Sequence, residues 1–177
     1  MVGSTLLDTP VAGASALRDY MAGQAERLPV VLQCDGPGQH HLPLGGVRRQ
    51  DDSAGGKVLL LAAPPHRCEQ KAMTAGDLHG YLARSLAAWP GNPGVLLQGV
   101  SPAGQPEHWA SWPELAAAGP ALYRADEGRG WYGTIYLPPE FQPPHPAPCP
   151  PPDDAIRVVL LLPAGSDGWP GSVRSAG

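Results

Sequence analysis

The chain has 177 residues, enough for one domain with a substantial core. It carries 12 Lys and Arg against 16 Asp and Glu, a net charge of -4, so the cationic face that nucleic-acid binding requires is not expected. With 23 Gly and 23 Pro, much of the surface should consist of turns and loops.

The spacing of the cysteines and the length of the apolar runs indicate where in the cell the protein is located. The three cysteines stand far apart without a C-x-x-C pair, which argues against a disulfide framework and favours a reducing environment. Met1 to Pro10 lacks the cationic start of a secretory signal. The longest apolar stretch, Val58 to Pro65, is far shorter than the ~20 residues of a membrane helix. We expect a cytoplasmic protein that does not bind membranes, and the Ala, Gly, Pro and Arg bias favours a bacterial source.

The first periodic segment predicts a helix from about Ser15 to Leu28, because its apolar residues fall on one helical face. Pro29 then ends the helix, and Val30 to Leu32 predicts a strand. His40 to Leu44 is typical of a short edge strand, because its proline has no N–H for a ladder. Lys57 to Leu61 is apolar throughout and predicts a central strand covered on both faces.

A second segment repeats this order. Thr74 and Asp77 predict a capping box that opens a helix, and the spacing of its apolar residues matches that of the first helix. The strand Gly94 to Gln98 follows, and its last four residues match Val30 to Gln33 in pattern. The shared order of helix, proline, apolar strand, glutamine and turn predicts an internal duplication.

The two copies diverge after this turn. Ser111 followed three residues later by Glu114 predicts an additional helix that continues to Ala118. Ala121 to Arg124 and Trp131 to Leu137 then predict two paired strands joined by a polar turn.

The predicted fold is one α+β domain with a mixed sheet and two packed helices. Residues 1–137 form the domain, with a first unit at about 11–62 and a second unit at 73–137. Residues 138–155 form a Pro-rich arm, which is extended because proline excludes helix and sheet interiors. Residues 156–163 form a strand that joins the sheet or a partner subunit. We expect residues 164–177 to form a flexible tail.

Two weak metal-site candidates lie in and after the first unit. Asp35 precedes the adjacent His40 and His41, but adjacent residues on a strand point to opposite faces, so one ion cannot bind both imidazoles. His66 and Cys68 form one loose pair, whereas structural zinc usually has two tight pairs. A turn aspartate, exposed histidines and an ordinary surface loop are the alternatives to function.

Aromatic residues are concentrated in the second unit. Trp and Tyr are common anchors of protein interfaces, so Trp109, Trp112, Trp131 and Tyr132 are candidate interaction residues, with core packing as the alternative. The Pro-rich arm is a second candidate contact segment, with a plain spacer as its alternative.

The function expected from these patterns is a non-enzymatic interaction or accessory protein without a cofactor. It would act through its second unit and Pro-rich arm, with a protein partner or a second copy of the chain; a homodimer would form through the arm and the C-terminal strand. The alternative is a metal-binding or hydrolytic enzyme that uses the His, Cys and Asp residues of the first unit.

Overall fold

The computed structural model describes residues 9–34, 40–50, 56–62, 73–88, 91–98, 112–125, 133–136, 138 and 153–164. Two helices, α1 (Gly13–Ala22) and α2 (Ala75–Ala88), lie among eight strands. The strands are β1 (Thr9–Pro10), β2 (Val30–Cys34), β3 (His40–Gln50), β4 (Lys57–Ala62), β5 (Gly94–Leu97), β6 (Leu115–Ala125), β7 (Gly133–Tyr136) and β8 (Ile156–Pro163).

The strands form one mixed sheet in the order β1-β6-β8-β2-β3-β4-β5, and β7 pairs with β6. An antiparallel bridge between Leu96 of β5 and Glu114 joins the end of this path to the residue before β6. The N–H of Leu97 also donates to the carbonyl oxygen of Pro113 at 2.9 Å. The six strands β6, β8, β2, β3, β4 and β5 therefore close into a ring.

One face of this sheet, the helix face, packs against both helices. Each of the six ring strands contributes apolar residues to a single core with Leu17 of α1 and Leu78 of α2. The opposite face, the far face, holds two smaller clusters around Leu160 and Leu59. The predicted α+β class, with a mixed sheet and two packed helices, is confirmed. The prediction that β4 is central and buried on both faces is also confirmed.

The two halves of the ring repeat the same strand plan, in which β2, β3 and β4 correspond to β5, β6 and β8. The third strand of each half pairs in parallel with the first strand of the other half. The middle strands also carry a register shift at the same place, between Leu44 and Gly46 in β3 and between Leu115 and Ala117 in β6. A shared bulge supports the duplication hypothesis, because bulges are specific features of a strand pair.

The start of each helix is held by the other unit. The N–H of Ala14 in α1 donates to the carbonyl oxygen of Pro93, which lies just before β5. The N–H of Ala75 in α2 donates in the same way to Leu28, just before β2. These exchanged bonds satisfy N–H groups that a helix leaves unpaired, so each unit stabilises its neighbour's helix.

The predicted capping box opens α2. The N–H of Asp77 donates to the Thr74 hydroxyl at 3.2 Å, and the N–H of Thr74 donates to the Asp77 carboxylate at 3.1 Å. The prediction for α1 is wrong at its end, because α1 stops at Ala22 and Ala25 is exposed beyond it. Glycine at position 23 weakens helix continuation, and the following turn brings Leu28 to α2.

Two further predictions in the strand regions are wrong. The helix expected after Ser111 is absent, because residues from Leu115 onward form β6 and pair with β8 along their length. The alanines of this segment favour a helix, but the pairing with β8 outweighs that propensity. The segment from His40 is not a short edge strand, since β3 continues to Gln50 between β2 and β4. Pro43 is tolerated because pairing with β2 ends there and pairing with β4 begins at the next residue.

The C-terminal strand β8 joins the chain's own sheet, where β6 and β2 flank it. The predicted pairing of the strands around residues 121–124 and 131–137 is confirmed as β6 with β7. Most of the Pro-rich arm and the tail from residue 165 lie outside the described residues.

Candidate functional site

The far face of β8 carries an apolar row, the outer row, formed by Ile156, Val158, Leu160 and Leu162. The last three are buried, with exposures of 2% or less, whereas Ile156 is 51% exposed. Regular pairing with β6 places Ile156 opposite Tyr123 and Val158 opposite Ala121. The buried cluster of the second unit therefore reaches solvent at Ile156.

Tyr123 forms the inner border of this surface. It is 7% exposed and lies between Ile135 of β7 and Ile156 of β8 in the register of β6. Burial disfavours the charged phenolate and raises the pKa of Tyr123 to about 12. Tyr123 thus stays neutral at physiological pH, and its ring packs in the buried cluster with Val158 and Leu160.

A second feature of the far face is the buried pair of Gln33 and His41. These residues lie opposite each other on β2 and β3, with His41 Nε2 at 3.3 Å from Gln33 Oε1. The equivalent positions in the second unit are Gln98 and Trp112. His41 and Trp112 are each 8% exposed, so both occupy a buried position at the same end of their half of the ring.

The side chains of Gln33 and Gln98 differ in their hydrogen-bond partners. The Gln98 side-chain oxygen accepts a bond of 2.8 Å from the N–H of Ala62 at the end of β4. The residue equivalent to Ala62 at the end of β8 is Pro163, which has no N–H to donate. Gln33 Oε1 therefore faces His41, and the buried Gln33 Nε2 has no hydrogen-bond partner among the residues that the structure describes.

The sequence-predicted metal candidates are only partly placed by the structure. His40 and His41 lie on β3, as their strand assignment requires, and His41 is engaged with Gln33. Asp35, His66 and Cys68 lie outside the described residues. Within the ranges described, no group of three His, Cys, Asp or Glu residues is positioned to hold a metal ion.

Of the four aromatic candidates, Trp112 alone lies among the described residues. Trp112 packs with Leu59 and Leu96 in the far-face core, so it contributes to packing and offers little surface to a partner. Trp131 and Tyr132 directly precede β7, which pairs with β6 beside the outer row, but they and Trp109 lie outside the described residues.

A cleft of about 580 Å³ lies where the end of α1 meets the start of α2. Its walls come from both units, and sequence reasoning assigned no role to this junction. The lining residues are Met21, Ala22, Gln24, Glu26, Arg27, Thr74, Gly76, Asp77 and His79. The charged lining residues include both signs, which distinguishes the cleft from the apolar far face.

Comparison of the chain with protein-family models, curated proteins and solved structures gives no match. None of the helices in the described ranges is long and apolar enough to cross a membrane.

Proposed function

We propose that this chain is a non-enzymatic interaction or accessory protein of the bacterial cytoplasm that binds protein through the far face of its second unit. The observation that carries this proposal is the exposure of Ile156. A single exposed isoleucine is ordinary on a protein surface. Ile156 differs because it continues a buried apolar row and lies opposite Tyr123, so a partner could extend that row.

The contact would use the face of the sheet. Because β8 is paired on both sides, it has no free edge to add to another sheet, and exchange of β8 between subunits is not needed. The Pro-rich arm leaves after β7 and returns at β8. The end of β7 pairs with Leu122 and the start of β8 pairs with Tyr123, so both ends of the arm are anchored beside the same surface.

A second copy of the chain is the simplest partner for this surface. An apolar patch that meets its own copy across a two-fold axis is complementary to itself, and most soluble oligomers use such contacts. The aromatic residues Trp131 and Tyr132 precede β7 in the sequence and would add to the contact.

Light scattering over a concentration series tests the proposal with two variants at one position. The wild type and Ile156→Leu should associate, because both present an apolar side chain, whereas Ile156→Asp should remain monomeric. Since the side chain is half exposed, both variants should retain the wild-type circular dichroism spectrum. Equal association of Ile156→Asp and wild type would count against this surface. Deletion of residues 138–177 is unsuitable because it removes the central strand β8.

The alternative, a metal-binding or hydrolytic enzyme using His40, His66 and Cys68, is favoured by one observation. Within the described ranges, the buried Gln33 Nε2 has no hydrogen-bond partner beside His41, and such orphan donors occur at functional sites. Elemental analysis of the purified protein separates the two functions. A stoichiometric transition metal that is lost in both His40→Ala and Cys68→Ala would support the alternative.

A further inference from the structure

We propose that the cleft between α1 and α2 binds a free amino acid. The cleft lies where the two units differ in the length of their helices. When Leu17, Tyr20 and Met21 of α1 are matched with the equivalent residues of α2, α1 ends five residues before the end of α2. The missing helical length corresponds to about 7.5 Å at ~1.5 Å per residue. Gln24, Glu26 and Arg27 occupy the chain that replaces it.

The charges in the cleft are not neutralised by one another. Glu26, Arg27 and His79 make no side-chain hydrogen bond or salt bridge, judged over the described portion of the chain and its contacts. Asp77 uses one carboxylate oxygen to accept the N–H of Thr74. Unpaired groups of both signs around one cavity favour a ligand that itself carries both charges.

The start of α2 does not provide a general anion site. The N–H of Ala75 donates to Leu28, the N–H of Gly76 donates to Glu26, and the N–H of Asp77 donates to Thr74. With these donors occupied, the Arg27 guanidinium and the His79 imidazole remain as side-chain partners for a carboxylate. A free phosphate or sulfate would find no cluster of free backbone N–H groups.

The remaining groups suit an ammonium group and a short side chain. Glu26 and Asp77 supply carboxylates, and the C-terminal end of α1 adds the negative end of a helix dipole. Met21 is buried and provides an apolar contact in the lining of the cleft. A cavity of about 580 Å³ lies within the range of small-molecule sites and readily holds an amino acid. This inference is independent of the protein contact proposed at Ile156.

Thermal unfolding with each of the common amino acids as probe tests the inference. Because Glu26 and Arg27 are exposed, binding should be weak, and a suitable amino acid at ~10 mM should raise the unfolding midpoint by about 3 °C. The corresponding N-acetyl amide, which lacks both charges, should have no effect. Dipeptides, which separate the two charges, should raise the midpoint less than the free amino acid.

Two variants locate the binding site. Arg27→Gln and Glu26→Gln should each abolish the shift, whereas Arg84→Gln, on an exposed position of α2 outside the cleft, should retain it. Since all three side chains are exposed, the variants should fold normally. The inference is overturned if no amino acid shifts the midpoint, if the N-acetyl amide is as effective, or if the shift persists in both cleft variants.

Discussion

The unequal bonding of Gln33 and Gln98 predicts that the same substitution will have different costs in the two units. In Gln98→Met, the Ala62 N–H loses an acceptor at 2.8 Å, and such a loss in a part-buried position costs about 1 to 3 kcal/mol. In Gln33→Met, a longer contact of 3.3 Å to His41 is lost. The substitution also removes the buried Nε2, whose missing partner carries a penalty of similar size.

The two effects at Gln33 oppose each other. We therefore expect Gln98→Met to lower the free energy of unfolding by about 1.5 kcal/mol, and Gln33→Met to change it by less than about 0.5 kcal/mol. Methionine is a suitable replacement because it keeps the length of the side chain and removes both polar atoms. Equilibrium urea denaturation followed by circular dichroism measures both values, provided that the m-values agree.

Pro163 supplies a further test of the same reasoning. Pro163→Ala introduces an N–H at the position equivalent to that of Ala62, where Gln33 Oε1 can accept it. In this background Gln33→Met should cost more than in the wild type, because it also removes the acceptor of the new N–H. An equal cost of Gln33→Met and Gln98→Met in the wild-type background would show that the buried Nε2 of Gln33 carries no penalty.

Two other predictions concern backbone strain and ionisation. Gly13 and Gly91 both have positive φ, 84° and 92° respectively. A Cβ added at Gly13 would lie 2.7 Å from the Asn92 side chain that caps α1. A Cβ added at Gly91 would meet no atom within 4 Å. Urea denaturation should show Gly13→Ala costing about 2 to 3 kcal/mol and Gly91→Ala about 1 to 2; equal costs would contradict the packing argument. Because burial raises the pKa of Tyr123 to about 12 from 10.0, its stabilisation is complete below pH 10 and is lost between pH 10 and 12. At ~1.36 kcal/mol per pKa unit the loss should be at most about 2.7 kcal/mol, and it should be smaller in Tyr123→Phe; an unchanged pH slope in that variant would exclude this cause.

Much of the fold follows from local patterns in the sequence. The apolar periodicity of α2 and its Thr74 capping box contain all the information needed to place that helix. The segment from Leu115 could not be assigned in this way. Its alanines favour a helix, and only the pairing with β8, more than thirty residues later, makes it a strand. Non-local pairing of this kind leaves no periodic signal in the strand itself.

The candidate surfaces were less predictable than the fold. The match between Gln33 and Gln98 was visible in the sequence, but the donor missing for Gln33 Oε1 is that of Pro163, which is distant in the chain and adjacent in space. The cleft depends on where α1 ends. A glycine at position 23 was the available signal, but the apolar residues beyond it favoured a longer helix.

The closure of the ring has a consequence for how the chain folds. β8 fills the place between β2 and β6, so the first half of the chain cannot complete its pairing until one of its last segments has been synthesised. Contacts of such long sequence separation slow folding, because loop closure precedes most of the energetic gain. During translation, the apolar edges of β2 and β6 would stay uncovered until residues 156–163 leave the ribosome. We expect slow refolding and a dependence on chaperones during synthesis, although in the folded chain β8 is flanked on both edges by β6 and β2.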